Sequence, residues 1–178
     1  MSAWTKLRLP AEHDMLVGFY DLTGYTAFAE HTEPLALLDL LAGYFTLTGD
    51  IIAAAGGRLI KTLGDAGLFA FFAADADAGI AALKKVESEG GAWLTKKGYR
   101  CGLIVKVNFG PVAIGMVGGR GSEILDVYGK TVNTAAVLPG RGMTLTPAAF
   151  RALSPASRKL FKKHTPPVSY IGAGDKRP

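Results

Sequence analysis

The sequence has one cysteine, Cys101, in 178 residues. That excludes an internal disulfide and any cysteine-built metal cluster, and it leaves the thiol as a small apolar filler near a strand. Three histidines, His13, His31 and His164, are too widely separated for metal-ligand spacing and read as surface residues. Long apolar runs are also missing. Gly67 to Ala74 and Ile51 to Ala55 fall well short of the ~20 residues that a bilayer span needs, and Asp or Glu interrupts the others, so no membrane span is expected. Met1 to Asp14 carries Lys6, Arg8, Glu12 and Asp14 without an apolar core of signal-peptide length. Nothing there marks the chain for export, and the expected location is the cytoplasm.

What is present is 49% hydrophobic residues against 20% charged, the proportions of one globular domain able to bury its own core. A single domain over residues 1–178 is expected, with its motifs in a core of about 15–150 and a basic helical tail over 151–178. The net charge of +5 sits in that tail, where seven Lys or Arg face Asp175 alone, while residues 1–150 hold thirteen basic against fourteen acidic. A basic tail can attract polyphosphate or nucleic acid, but its simpler reading is a solvated helix face.

Met15 to Tyr20 is a short apolar run between Asp14 and Asp21 and reads as a buried strand, followed by the turn Asp21-Leu22-Thr23-Gly24. From Pro34 to Ala55, Leu37, Leu38, Leu41, Tyr44, Phe45, Thr48, Ile51 and Ile52 recur every three or four positions. This predicts a long amphipathic core helix with Thr32 as N-cap and Gly56-Gly57 as its end. Arg58 to Leu63 and Ala66 to Phe72 read as a β-hairpin across Gly64-Asp65. Ala74 to Lys97 reads as a second helix, with Gly90-Gly91 as a bend or break, and Cys101 to Phe109 with Val112 to Val117 as a further strand pair. A short helix near Val132 to Leu138 precedes the tail. The order predicts an α+β fold, a ferredoxin-like βαββαβ core whose antiparallel sheet carries helices on one face.

Two carboxylates follow strands directly: Asp21 after the first and Asp65 at the hairpin tip. In a ferredoxin-like sheet the first and third strands are neighbours, so both can converge at one end, and paired carboxylates on rigid elements suit hard divalent cations. Alone, each has an ordinary structural role in a turn or cap.

Their surroundings add more. Phe19-Tyr20-Asp21-Leu22-Thr23-Gly24-Tyr25-Thr26 closely resembles the first metal-binding signature of class III adenylyl and guanylyl cyclases, and Gly57-Arg58-Leu59-Ile60-Lys61-Thr62-Leu63-Gly64-Asp65 resembles the second. Asp126-Val127-Tyr128-Gly129-Lys130-Thr131-Val132-Asn133-Thr134-Ala135-Ala136 is similar to the segment carrying base recognition and transition-state contacts. The resemblance covers residues 15 to about 150. It implies an adenylate cyclase that turns ATP into cyclic AMP and pyrophosphate, with Asp21 and Asp65 holding two Mg²⁺ or Mn²⁺ ions and Leu22 lending a backbone carbonyl. Thr23, Gly24, Tyr25 and Thr26 would cradle the triphosphate. Lys61 and Asp126 would read adenine, and Asn133 would orient the ribose and the transition state. It further implies a homodimer, the metal aspartates of one subunit facing the base-reading and Asn residues of the other, with the Gly-rich stretch from Gly115 to Ile124 reaching across.

The chain departs from the family pattern at Val137, four residues after Asn133, where the family has an arginine that stabilises the transferring phosphate. Loss of one such donor typically costs ~10²–10³ in rate, which weakens turnover without ending it. Arg141 is a candidate to approach the site from a different backbone position, and Lys176 is a candidate for the late family lysine that contacts the triphosphate. The alternative is a cyclase-like dimer that binds nucleotide or docks a protein without turnover. An RNA-recognition module shares the topology and displays aromatics on the third strand, where Phe69 and Phe71 stand; but Asp65 and Ala66 lead that strand in place of a basic residue, so nucleic acid is not an expected partner.

Overall fold

Alternation along the first strand sets the two faces of the sheet. In β1 (Ala11–Leu22), Leu16, Tyr20 and Leu22 point into one apolar cluster, and Met15 and Val17 into another on the opposite side, as the two-residue period of a strand requires. The computed structural model describes residues 3–165 and 167–175. β1 lies between β3 (Ala66–Phe72) and β4 (Leu103–Val117), with β2 (Arg58–Leu63) outside β3, and all three pairings are antiparallel. This is the predicted ferredoxin-like order.

The sheet then grows beyond the core. β6 (Met143–Leu145) joins β4 in parallel, followed by β8 (Ser169–Gly172) and β7 (Phe161–His164), while β5 (Ile124–Tyr128) pairs with the far half of β4. The basic helical tail is thus corrected: among the described residues there, only Pro147–Ala152 (α6) and Pro155–Arg158 (α7) are helical, and two strands follow. Phe161 and Ile171 enter the core there, leaving Lys162 and Lys163 exposed.

After the short α1 (Tyr25–Ala29), helix α2 (Pro34–Ala54) covers the first face. Its buried stripe is Leu40, Tyr44, Thr48 and Ile52, whereas Leu38 is exposed. Glu33, not Thr32, is the N-cap; the Thr32 hydroxyl instead donates back to the Phe28 carbonyl at 2.8 Å. By length and composition α2 is apolar enough to cross a membrane, which the sequence reading overlooked by counting only unbroken runs. Its stripe is nonetheless built into the domain core.

The second predicted helix divides into α3 (Ala76–Lys85), a π-helical turn Val86–Gly90 and α4 (Gly91–Lys96). The wider turn keeps Val86, Gly90 and Leu94 all buried, and Gly90 lies so close to the Tyr44 ring that an added Cβ would stand 3.0 Å from it. The expected strand pair after Cys101 is one continuous strand, because β1 offers it partners from Leu22 opposite Leu103 to Ala11 opposite Ile114. Helix α5 (Lys130–Ala136) sits on the second face, where Val132 joins Met15, Val17, Val112 and Val127.

Tyr20, Tyr44, Phe69 and Phe71 are fully buried under the helices, each contributing about 2 kcal/mol or more by removal from water. Thr48 gives its hydroxyl proton to the Tyr44 carbonyl at 2.9 Å, so the 2.7 Å bond to Tyr20 has the phenol as donor. Phe69 and Phe71 face this core, which removes the surface an RNA-recognition module would use.

Candidate active site

Asp21 stands at the end of β1 and Asp65 at the tip of the β2–β3 hairpin, whose turn is made by Gly64 at φ +61°. Because β3 pairs directly with β1, with Gly67 opposite Tyr20, the two carboxyls meet and share a hydrogen bond. Burial, then that bond, then the Asp21 charge push the Asp65 carboxyl up to about 6, against the opposing pull of the Asp65 and Leu22 backbone amides. An Asp65 carboxylate that ionises at a cost beside Asp21 marks a place where a cation would be stabilised. Asp21 is exposed, Asp65 half-buried and Leu22 buried beside them.

The turn after Asp21 is fixed from outside. The Thr23 amide donates to the Gly102 carbonyl at 3.0 Å, the Gly102 amide donates to Thr23 Oγ1 at 2.7 Å, and the Tyr99 hydroxyl donates to the Thr23 carbonyl at 2.8 Å. The Thr23 amide is therefore engaged with Gly102 in this structure. Gly24 at φ +77°, Tyr25 and Thr26 remain at the head of α1, where helix geometry leaves amides without intrahelical acceptors.

Lys61 and Asp126 also come together, from strands β2 and β5. Lys61 Nζ lies 2.6 Å from Asp126 Oδ2, and the Val127 amide donates to Oδ1 at 2.8 Å. Burial alone would raise the Asp126 carboxyl. Hydrogen bonds from Lys61, Val127 and Tyr128, with the Lys61 charge, hold it below the usual carboxylate range instead. Lys61 lines a cavity of about 690 Å³ together with Trp4, Leu7, Leu9, Met116 and Ile124.

Asp21 lines a second, smaller cavity of about 180 Å³ with Phe19, Ala66, Ile104, Lys106 and Ala136, and the two cavities share no lining residue. Asn133 is exposed on α5 and joins neither lining. Val137 just beyond is 79% exposed, and Arg141 is exposed in the loop before β6; Lys176 lies outside the described residues. Cys101 is half-buried, and burial first and the Asp65 charge second raise its thiol, so it is a poor nucleophile.

Two residues beside these groups escaped the sequence reading. Tyr128 bonds Asp126 and lies under Lys61, whose Nζ is 5.7 Å from the ring centre; an aromatic two positions from an acid carries no signal of that contact. Lys106 did leave a signal, a cation inside the apolar run Ile104-Val105-Lys106-Val107.

Comparison with known proteins bears on the family and the fold. A profile of the adenylate and guanylate cyclase catalytic domain matches residues 9–146. An adenylate cyclase of Streptomyces coelicolor is 38% identical over 127 residues, 70% of this chain and 29% of that protein. One of Anabaena cylindrica is 30% identical over 134 residues, 71% of the chain and 27% of the protein. The chain thus spans less than a third of the length of these curated relatives. Among solved structures, the guanylyl cyclase Cya2 superposes with a TM-score of 0.78 at 20% identity, covering 95% of this chain and 96% of that one. The adenylyl cyclase CyaB from P. aeruginosa does so at 0.76 and 18%, covering 96% and 98%. One fold carries both names, so the fold alone does not choose the base. With a family profile covering most of its length and the paired carboxylates at the predicted strand ends, this chain belongs to the adenylate and guanylate cyclase catalytic domain family.

Proposed function

We propose that the domain converts ATP to 3′,5′-cyclic AMP and pyrophosphate. The observation that carries this reading is the meeting of Asp21 and Asp65 at one end of adjacent strands. Among the described residues no cluster of three or more His, Cys, Asp or Glu could hold a metal ion. Two carboxylates with the Leu22 carbonyl beside them fit Mg²⁺ or Mn²⁺, which accept few protein ligands and fill their remaining positions with water and substrate phosphate. When bound, two such ions supply charge neutralisation at the α-phosphate and acidify the ribose 3′-hydroxyl.

The chain's own residues hold the reactants. The 3′-oxygen forms a bond to the α-phosphorus, the bond from that phosphorus to the bridging oxygen breaks, pyrophosphate leaves and the hydroxyl proton passes to water. Lys61 Nζ donates to an adenine ring nitrogen while Asp126 accepts from the exocyclic amine, a donor and an acceptor already held 2.6 Å apart. Gly24, Tyr25 and Thr26 receive the phosphates, and Asn133 orients the ribose. Lys61 and Asp21 line separate cavities of one chain, which supports a homodimer in which each nucleotide spans two subunits. Exposed apolar residues on the β4–β5 arm, Met116, Val117, Ile124 and Tyr128, fit such a partner. An ATP-consuming domain of this kind belongs in the cytoplasm.

A second reading, nucleotide binding without turnover, is favoured by one observation, the exposed Val137 where a cation is expected. Purified protein with Mn²⁺ and ATP decides between them. Cyclic AMP above that of an Asp65→Ala control supports the enzyme; ATP binding with no cyclic AMP above that control leaves the binding module.

The carboxyl pair also has a consequence for stability. Asp65 titrates above its unfolded value, so the metal-free fold loses stability as pH rises through about 6. Asp65→Asn should therefore raise the melting temperature of metal-free protein at pH 8 and leave it unchanged at pH 4, as thermal unfolding in chelator would record. Mn²⁺ should stabilise only the wild type.

A further inference from the structure

Val105 and Val107 of β4 point into the core under the helices, so Lys106 between them projects from the opposite face of the sheet, where Asp21 and α5 lie. It stands opposite Phe19 on β1, with Ile104 opposite Asp21. Its ammonium group donates to the Ala136 carbonyl at 3.2 Å, at the end of α5 beside Val137. Lys106 forms no ion pair among the described residues. The bond to Ala136 lies in solvent, so the ammonium group is only lightly held by the fold and can turn to another acceptor, and it shares the Asp21 cavity.

We propose that Lys106 binds the polyphosphate of the nucleotide held at Asp21 and Asp65, supplying from the sheet a positive charge that Val137 does not supply from the helix. The inference rests on the cyclase reading above. Lys106 falls in none of the three sequence blocks that resemble cyclase motifs. Its position is set by strand alternation: a residue at 105 or 107 faces the core, and only the intervening one faces the cavity. The flexible stem can swing the ammonium from the Ala136 carbonyl to a phosphate oxygen across a cavity of about 180 Å³. Since Asp21 and Lys106 belong to one chain, this contact is made within the subunit that carries the metal aspartates.

A purely structural Lys106, capping the end of α5, would stabilise the fold and leave ligand affinity untouched. Lys106→Met and Lys106→Arg separate the two roles. Inorganic pyrophosphate in the presence of Mn²⁺ is the binding probe, read by calorimetry, alongside kcat/KM for cyclic AMP formation and the melting temperature. Lys106→Met should weaken pyrophosphate binding about tenfold to a hundredfold, lower kcat/KM by a similar factor, and leave the melting temperature within about 2 °C. Lys106→Arg should recover most of both. Pyrophosphate affinity within about twofold of wild type in Lys106→Met overturns the proposal, as does a loss that follows only a fall in melting temperature. If the wild type makes no cyclic AMP, it is the cyclase reading that fails, and pyrophosphate binding still decides the role of Lys106.

Discussion

Mixing Asp65→Ala with Asn133→Ala is expected to restore cyclic AMP formation that neither variant shows alone. Each variant should lose at least ~10²-fold in rate, the first by removing a metal ligand and the second by removing a fixed donor to the ribose and transition state. If each nucleotide takes its metal carboxylates from one subunit and Asn133 from the other, a mixed dimer has one site with both defects and one with neither. Random exchange then returns about a quarter of wild-type activity, since half the dimers are mixed and each has one of two sites intact. No recovery after complete subunit exchange would mean that both groups act within one chain. The physical basis is the separation in a single subunit: Asn133 is exposed on α5 and lines neither the cavity of Asp21 nor that of Lys61.

Removing Lys61 should unsettle the fold as well as the site. Asp126 is 3% exposed, and its carboxylate is held ionised by Lys61, the Val127 amide and Tyr128. Breaking a fully buried pair costs about 3–5 kcal/mol. Lys61 keeps 27% of its side chain in solvent and the other two donors survive, so Lys61→Met should cost roughly 1–3 kcal/mol, or about 3–10 °C in melting temperature. The sign of the pH dependence follows. Asp126 titrates below its unfolded value, so the pair's contribution is present above pH ~4 and is lost as pH falls through the folded value. Wild type and variant should differ most near neutral pH and converge in acid. Lys61→Met/Asp126→Asn should be more stable than Lys61→Met, because no unpaired charge remains, and both should bind ATP more weakly. A Lys61→Met melting curve identical to wild type at pH 7 would show that the pair is solvated rather than built into the fold.

Several elements were legible because local chemistry decides them. The hairpin at Gly64-Asp65 appears where a positive φ was needed, and the long helix from Pro34 ends near Gly56-Gly57 as its periodicity predicts. Other readings failed where a distant partner overrode local pattern. Gly110-Pro111 looked like a break between two strands, but twelve consecutive residues of β1 pair across it and hold one strand. The lysine-rich end looked helical, yet an open strand edge at β6 and core space for Phe161 and Ile171 drew it into the sheet. Thr32 looked like a cap, but the preceding turn puts its hydroxyl on the Phe28 carbonyl.

The sequence by itself determined the kinds of groups in the site and their positions on strand ends and turns: Asp21, Asp65, Lys61, Asp126 and Asn133 stand in motifs whose spacing is a local property of the chain. Tertiary structure alone decided which of them meet. Register between β1 and β3 brings Asp21 to Asp65, the approach of β5 to β2 brings Asp126 to Lys61, and the pairing of β4 with β1 puts Lys106 in the Asp21 cavity. Those contacts depend on strand registers fixed by burying both faces of the sheet. A shift by one residue would turn every one of these side chains to the other side.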